Sequence, residues 1–199
     1  MLIFLAAIIA GLAAGILRAK AAGQPYQPYE IKGVWLVLLA FIPQFLTFNF
    51  RPVSSSLSPQ VVSLVLILSQ LPLFFFVILN WRKAGFWLLG LGLALNFLVI
   101  LVNGGLMPIS PELVTRLHPD LAPGFWQIGE RFGTGKDIVL SIDQTRLYFL
   151  SDRFSLPDWI PYRVAFSLGD LLMAAGIVWL LWFFGGHHQP QTLVEERLL

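Results

Sequence analysis

Two aspartates sit where acids can do chemistry. Asp170 follows Phe166-Ser167-Leu168-Gly169 and leads directly into the apolar run Leu171 to Phe184, which places a carboxylate in the first turn of a helix long enough to enter a bilayer. Charge at such a boundary is costly unless it faces water, a partner or protein interior, so it marks a default functional site. Asp152 lies one loop upstream. Two carboxylates within hydrogen-bond reach in a partly dry site cannot both ionise easily, so one becomes the acid and the other the base. Such a pair can activate water against a peptide at the membrane surface. Asn103 is then a candidate substrate orienter, and Asn96 and Ser167 are the further polar groups of the cluster.

Each acid also has a plainer duty. Ser167 to Asp170 fits a capping box, a hydroxyl at the N-cap and an acid three residues on, and a carboxylate there favours the positive end of the helix dipole. Asp152 is next to Arg153. An exposed pair of that kind is worth at most about 1 kcal/mol.

The elements that must position these residues are apolar helices. Hydrophobic residues make up 57% of the 199 positions and charged residues 12%, against roughly 25% charged in an ordinary soluble domain. The runs Leu2 to Leu17, Val34 to Phe50, Val61 to Leu79 and Phe86 to Val102 precede the one at Asp170. Each approaches the length needed to cross about 30 Å of hydrocarbon. The expected architecture is an all-α integral membrane protein forming a single domain over residues 1–199. Its five transmembrane helices fall at about 2–17, 34–50, 61–79, 86–102 and 167–184, with a long, partly helical exterior loop, about 103–165, between helices 4 and 5. Arg18 and Lys20 follow the first apolar run instead of preceding it, which argues for a retained helix over a signal peptide. Counting basic residues in the short loops then puts the N-terminus outside and the C-terminus in the cytoplasm. Asp152 and the start of the last helix face outward in this scheme.

Within the spans, Gly11 and Gly15 form a small-xxx-small pattern that permits close helix approach. Gly92, Asn96 and Asn103 are spaced by four and seven, which sets them on one helical face. Pro43 and Pro72 should kink the second and third spans, with Gln44 and Gln70 near the freed carbonyls. Asn103-Gly104-Gly105-Leu106-Met107-Pro108 reads as a helix stop. Beyond it, Ser110-Pro111-Glu112 has the signature of a helix start, giving a short helix to about Leu117.

Other chemistries are excluded on spacing and composition. Gly129 to Asp137 invites comparison with a phosphate-binding loop, but the first glycine would have to stand at Glu130 and Asp137 replaces the magnesium-binding hydroxyl. No nucleotide site is expected. His187-His188 cannot share one helical face and lacks further ligands; His118 has no identifiable partner. Without cysteine there is no disulfide and no thiolate metal site. A net charge of +2 with scattered basic residues is no nucleic-acid footprint. No cofactor and no metal are expected. The partners expected are the lipid bilayer and other membrane protein subunits.

Two resemblances refine this. Asp152 followed by Phe166-Ser167-Leu168-Gly169-Asp170 is similar to the lipoprotein signal peptidases, in which a loop aspartate and a second one at the outer end of the last helix activate water. Ser167 and Gly169 depart from that family's pattern, and its Asp-Gln and Gly-Asn-x-x-Asp-Arg motifs are absent. A resemblance covering most of the chain carries Asn96, Asn103-Gly104-Gly105-Leu106-Met107-Pro108, Leu150-Ser151-Asp152 and Ser167-Leu168-Gly169-Asp170. It is to a family of uncharacterised bacterial polytopic membrane proteins, defined as a domain of unknown function. It implies the bacterial cytoplasmic membrane and groups the two motifs in one site. The leading expectation is a non-catalytic accessory or scaffold subunit. The alternative is a membrane-embedded aspartic peptidase-like enzyme using Asp152 and Asp170, and the third is a small-molecule transporter.

Overall fold

A computed structural model describes residues 2–122 and 125–186. Its helices are α1 (Leu2–Ala21), α2 (Trp35–Asn49), α3 (Arg51–Ser56), α4 (Pro59–Asn80), α5 (Phe86–Val102), α6 (Pro111–Leu117) and α7 (Leu168–Phe184). Two of them, α1 with 20 residues and α4 with 22, are long and apolar enough to cross a membrane. The helices α2, α5 and α7, with 15, 17 and 17 residues, are apolar but shorter. The His187-His188 pair lies outside the described residues.

The five apolar helices stand in a row in the order α1, α7, α5, α4, α2. Glycine sets the spacing on both sides of α7. Gly11 rests against Val178 and Leu181, and a Cβ on Gly15 would strike the Leu181 carbonyl. Contacts therefore advance together along α1 and α7, so these two helices run parallel. On the other side Gly92 meets Gly169 and Met173, whereas Gly85 meets Gly176 and Leu180, so α5 runs antiparallel to α7. Removing side chains where two helices touch lets dispersion act over short distances, which matters most where lipid already solvates apolar side chains. Gln44 Nε2 donates to Ser69 Oγ at 2.8 Å, tying α2 to α4 near Pro43 and Pro72, which both lie inside their helices.

Between α5 and α7 the chain is not simply loop and helix, as an all-α reading expected. It holds two small sheets. Strand β1 (Met107–Ile109) pairs in parallel with β2 (Asp137–Val139), and β3 (Phe154–Ser155) pairs antiparallel with β4 (Ala165–Phe166). Gly104 and Gly105 take φ of 82° and 90°, which turns the chain sharply out of α5. A residue with Cβ at Gly105 would also meet Ser63 Cβ at 2.6 Å. Only four residues separate this turn from Ser110, with Pro108 among them, too few for a helix, so the chain extends. Pro108 has no N–H to offer, and its carbonyl accepts from Asp152 N at 3.2 Å. Helix α6 starts as its sequence predicts, with Ser110 Oγ accepting from Leu113 N at 3.3 Å and Pro111 in the first turn.

Apolar burial ties this segment to the helices. Met107, Leu106 and Leu150 pack with Val62 and Leu66 of α4 and Val99 and Ile100 of α5. A second core, with Ile109, Leu113, Val114, Leu117 and Val139, is internal to the segment. At the opposite end of the row, Tyr26, Tyr29 and Ile31 from the α1–α2 connection pack around Phe86, Leu180 and Phe184.

Candidate functional site

Asp170 is held from all sides. Ser167 Oγ accepts from Asp170 N at 3.0 Å and Asp170 Oδ2 accepts from Ser167 N at 3.1 Å, so both halves of the capping box are made. The neighbouring helix completes the arrangement. Asn96 Nδ2 donates to Asp170 Oδ1 at 2.9 Å, and Ser167 Oγ donates to Asn96 Oδ1 at 2.7 Å. The side-chain amide of α5 therefore bridges the acid and the hydroxyl of the α7 cap in one closed ring. Gly169 is required beside it, because a Cβ there would run into the Asn96 side chain.

This geometry predicts the effect of Ser167→Ala. The change removes an N-cap, worth about 1 kcal/mol, and leaves the buried Asn96 oxygen without its donor, which costs about as much again. Denaturant titration should show a loss of about 2 kcal/mol. A loss below about 0.5 kcal/mol would mean that the ring is not formed in solution.

Asp152 is buried, at 2% exposure, on the far flank of β1 from β2. Its partner is Lys136, whose Nζ lies 2.5 Å from Asp152 Oδ2 and 2.9 Å from Asp137 Oδ1. Asp152 Oδ1 is buried and has no hydrogen-bond partner. Burial raises the Asp152 carboxyl to about 7; the Lys136 ammonium opposes that rise, while Asp137 and Asp170 add to it by repulsion. Burial alone would depress Lys136, but Asp137, Asp152 and Asp170 outweigh it and raise its pKa, so it stays charged. Asp170 thus acts electrostatically on both members of the pair. Among the described residues, no hydrogen bond joins the two carboxylates directly.

A pH profile follows from the raised value. A carboxyl whose folded pKa lies above its unfolded one, 3.8, stabilises the fold fully below the unfolded pKa and loses that contribution as pH rises towards about 7. Melting of the protein in detergent should therefore occur at falling temperature as pH rises from about 4 to about 7. Asp152→Asn should flatten that slope.

Two expected roles need correction. Asn103 does not join the acids: its Nδ2 donates to Val99 O at 2.7 Å and Arg146 O at 2.8 Å, and its Oδ1 accepts from Arg146 N at 2.9 Å. It caps α5 and pins the Arg146 loop, so its amide is occupied by backbone. Arg153 does not pair with Asp152 either, because its guanidinium lies over the rings of Tyr148 and Phe154. The alternation of β-structure sends neighbouring side chains to opposite faces.

The sequence assigns Lys136 and Asp137 no role, because their glycine loop fails as a phosphate cradle. The loop has a different use. Arg131 Nε donates to Gly135 O at 2.6 Å, its Nη2 donates to Thr134 O, and Nη2 also reaches Ser54 Oγ of α3 at 3.3 Å. The closed turn delivers Lys136 to the acids at the start of β2. A lysine-aspartate pair joining a glycine turn to the strand-like run Ile138-Val139 was the available signal.

Among the described residues, no group of three or more His, Cys, Asp or Glu side chains is arranged to hold a metal ion. The molecule is a mostly helical protein with two helices long and apolar enough to cross a membrane, and the Lys136–Asp152 ion pair lies within the folded segment that connects α5 to α7. The chain belongs to the family of unknown function DUF5317, which it matches over residues 28–182. No curated protein and no solved structure matches it.

Proposed function

We propose that this is a five-span membrane protein without catalytic activity, an accessory or scaffold subunit that assembles with other membrane proteins. The observation that carries this reading is the commitment of the two acids. Both oxygens of Asp170 accept from Asn96 and its own helix cap, and Asp152 Oδ2 is ion-paired with Lys136, so each acid is held by its own partners and not by the other. Membrane insertion of all five apolar helices is supported by their outer faces, where Ile9, Leu38, Phe75, Leu101 and Leu171, one from each, are exposed. The parallel run of α1 with α7 and the antiparallel run of α5 with α7 fit one crossing per apolar helix. In this reading the N-terminus and the 103–165 segment face outward from a bacterial cytoplasmic membrane.

Purification in mild detergent tests the assembly role: a stoichiometric membrane partner is expected, and recovery of the lone chain would sink it. Orientation has its own test, since the chain has no cysteine. A single cysteine introduced as Asp143→Cys should react with an impermeant thiol reagent on intact cells. Reaction only after lysis would reverse the topology.

One observation favours the aspartic-enzyme reading, the buried and unpartnered Asp152 Oδ1 on an acid that titrates near neutrality. That reading requires Asp152→Asn and Asp170→Asn each to abolish a cellular phenotype while the protein still accumulates.

A further inference from the structure

We propose that the end of the helix row remote from the two acids is a binding surface for anionic phospholipid headgroups, held by Lys32, Arg82 and Lys83 with Arg18 and Lys20 beside them. This rests on the membrane-spanning reading.

Backbone contacts gather the basic residues at this end. The last turns of α1 and α7 lie together, with the Arg18 guanidinium 3.9 Å from the centre of the Trp182 ring and its Nη1 donating to Trp182 O at 3.4 Å. Tyr26 and Tyr29 of the α1–α2 connection pack edge-on against Phe184. Asn80, the last residue of α4, fastens the same connection: its Oδ1 accepts from Lys32 N at 3.0 Å and its Nδ2 donates to Lys32 O at 2.8 Å. The turn from Trp81 to Gly85 then leads straight into α5. Lys83 Nζ donates to Glu30 O and lies 5.1 Å from the centre of the Tyr29 ring. Lys32 and Lys83 are thereby held near one another. Burial lowers the Lys83 pKa, Glu30 opposes that, and Lys32 adds to it by repulsion.

Charge and aromatic placement choose the partner. Arg18, Lys20, Lys32, Arg82 and Lys83 share this end with a single carboxylate among the described residues, Glu30, whereas the 103–165 segment holds seven acidic and six basic residues. The four ion pairs among the described residues all lie in that segment. None of the five cations at this end has a carboxylate within ion-pair distance among the described residues. The same end carries the exposed indoles of Trp35, Trp81 and Trp87. An indole favours headgroup level, with its body in hydrocarbon and its N–H towards water, so these three mark the plane of the headgroups. Unpaired cations in that plane face lipid phosphates, and each contributes a factor of about five in affinity for an anionic surface. A five-residue turn such as 81–85 projects little beyond that layer, which favours lipid over an acidic protein.

The test places the full-length protein in nanodiscs of phosphatidylcholine and phosphatidylglycerol in equal parts, extracts it into mild detergent and measures the retained lipid by native mass spectrometry. Phosphatidylglycerol should be retained over phosphatidylcholine by about ten-fold or more. Extraction in about 1 M salt, where the Debye length is about 3 Å, should reduce that excess. Lys32→Gln combined with Lys83→Gln should remove it. Lys20→Gln combined with Arg82→Gln, whose side chains make no hydrogen bond among the described residues, should cut it as deeply and serves should the first pair misfold. Arg116→Gln combined with Arg163→Gln, in the 103–165 segment, should leave it unchanged. Equal retention of the two lipids, an excess that survives both pairs of substitutions at this end, or one that the pair in the segment removes as fully, would overturn the inference and leave the membrane reading standing. Failure of the protein to enter nanodiscs would overturn both.

Discussion

Lys136→Met is expected to destabilise the protein by about 3 kcal/mol at pH 8, the low end for removing one partner of a buried ion pair. The low end applies because the Lys136 side chain is 42% exposed whereas that of Asp152 is 2% exposed. Without the ammonium, Asp152 keeps its desolvation and the repulsion of Asp137 and Asp170 but loses the one influence that lowers its pKa. It should bind a proton instead. The destabilisation should therefore shrink on going to pH 5, where a neutral carboxyl costs less to bury. Lys136→Met combined with Asp152→Asn should be more stable at pH 8 than Lys136→Met alone, since no uncompensated charge is left inside. Denaturant titrations of the three variants at the two pH values measure this. A loss in Lys136→Met that is the same at pH 5 and pH 8 would remove Asp152 as the group responsible.

The second large effect is expected at Gly92. A Cβ there would collide with the Gly169 carbonyl and would come within 2.7 Å of Met173 Cγ and 2.9 Å of Met173 N. Two of these neighbours are backbone, so no rotamer change relieves the clash, and α5 and α7 must separate. Separation acts where it matters most, one turn from the hydrogen bond between Asn96 and Asp170. Gly92→Leu should cost about 3 kcal/mol or more, beyond the usual range for overpacking, despite the roughly 1 kcal/mol that replacing glycine returns in helix propensity. Leu91→Ala, one position along and exposed, should be near neutral by comparison. Size-exclusion recovery and melting temperature of the two variants in detergent give the answer. Equal stability would mean that α5 and α7 are not in contact through this face.

Much of the helical frame is readable from residue order. Apolar runs of 15 or more residues have little alternative to a helix, because a helix satisfies its own backbone hydrogen bonds, so the five expected segments and the five long helices coincide to within a few residues. The capping box at Ser167 and the helix start at Ser110 were equally legible, each being a contact between residues three apart. The small sheets between α5 and α7 were not, because two- and three-residue strands carry too little alternation to register as a pattern.

The sequence by itself determined the apolar helices, their caps, and the presence of two acids near the mouth of the last one, since these follow from local composition and short-range spacing. The partners of those acids were decided by tertiary structure alone. Lys136 reaches Asp152 across 16 positions of sequence and Asn96 reaches Asp170 across 74, and only the folding of a glycine loop and the close glycine-lined approach of α5 to α7 bring them together. Whether a carboxylate works as an acid or as a fastening depends on what neutralises it, and that neighbour is a long-range contact.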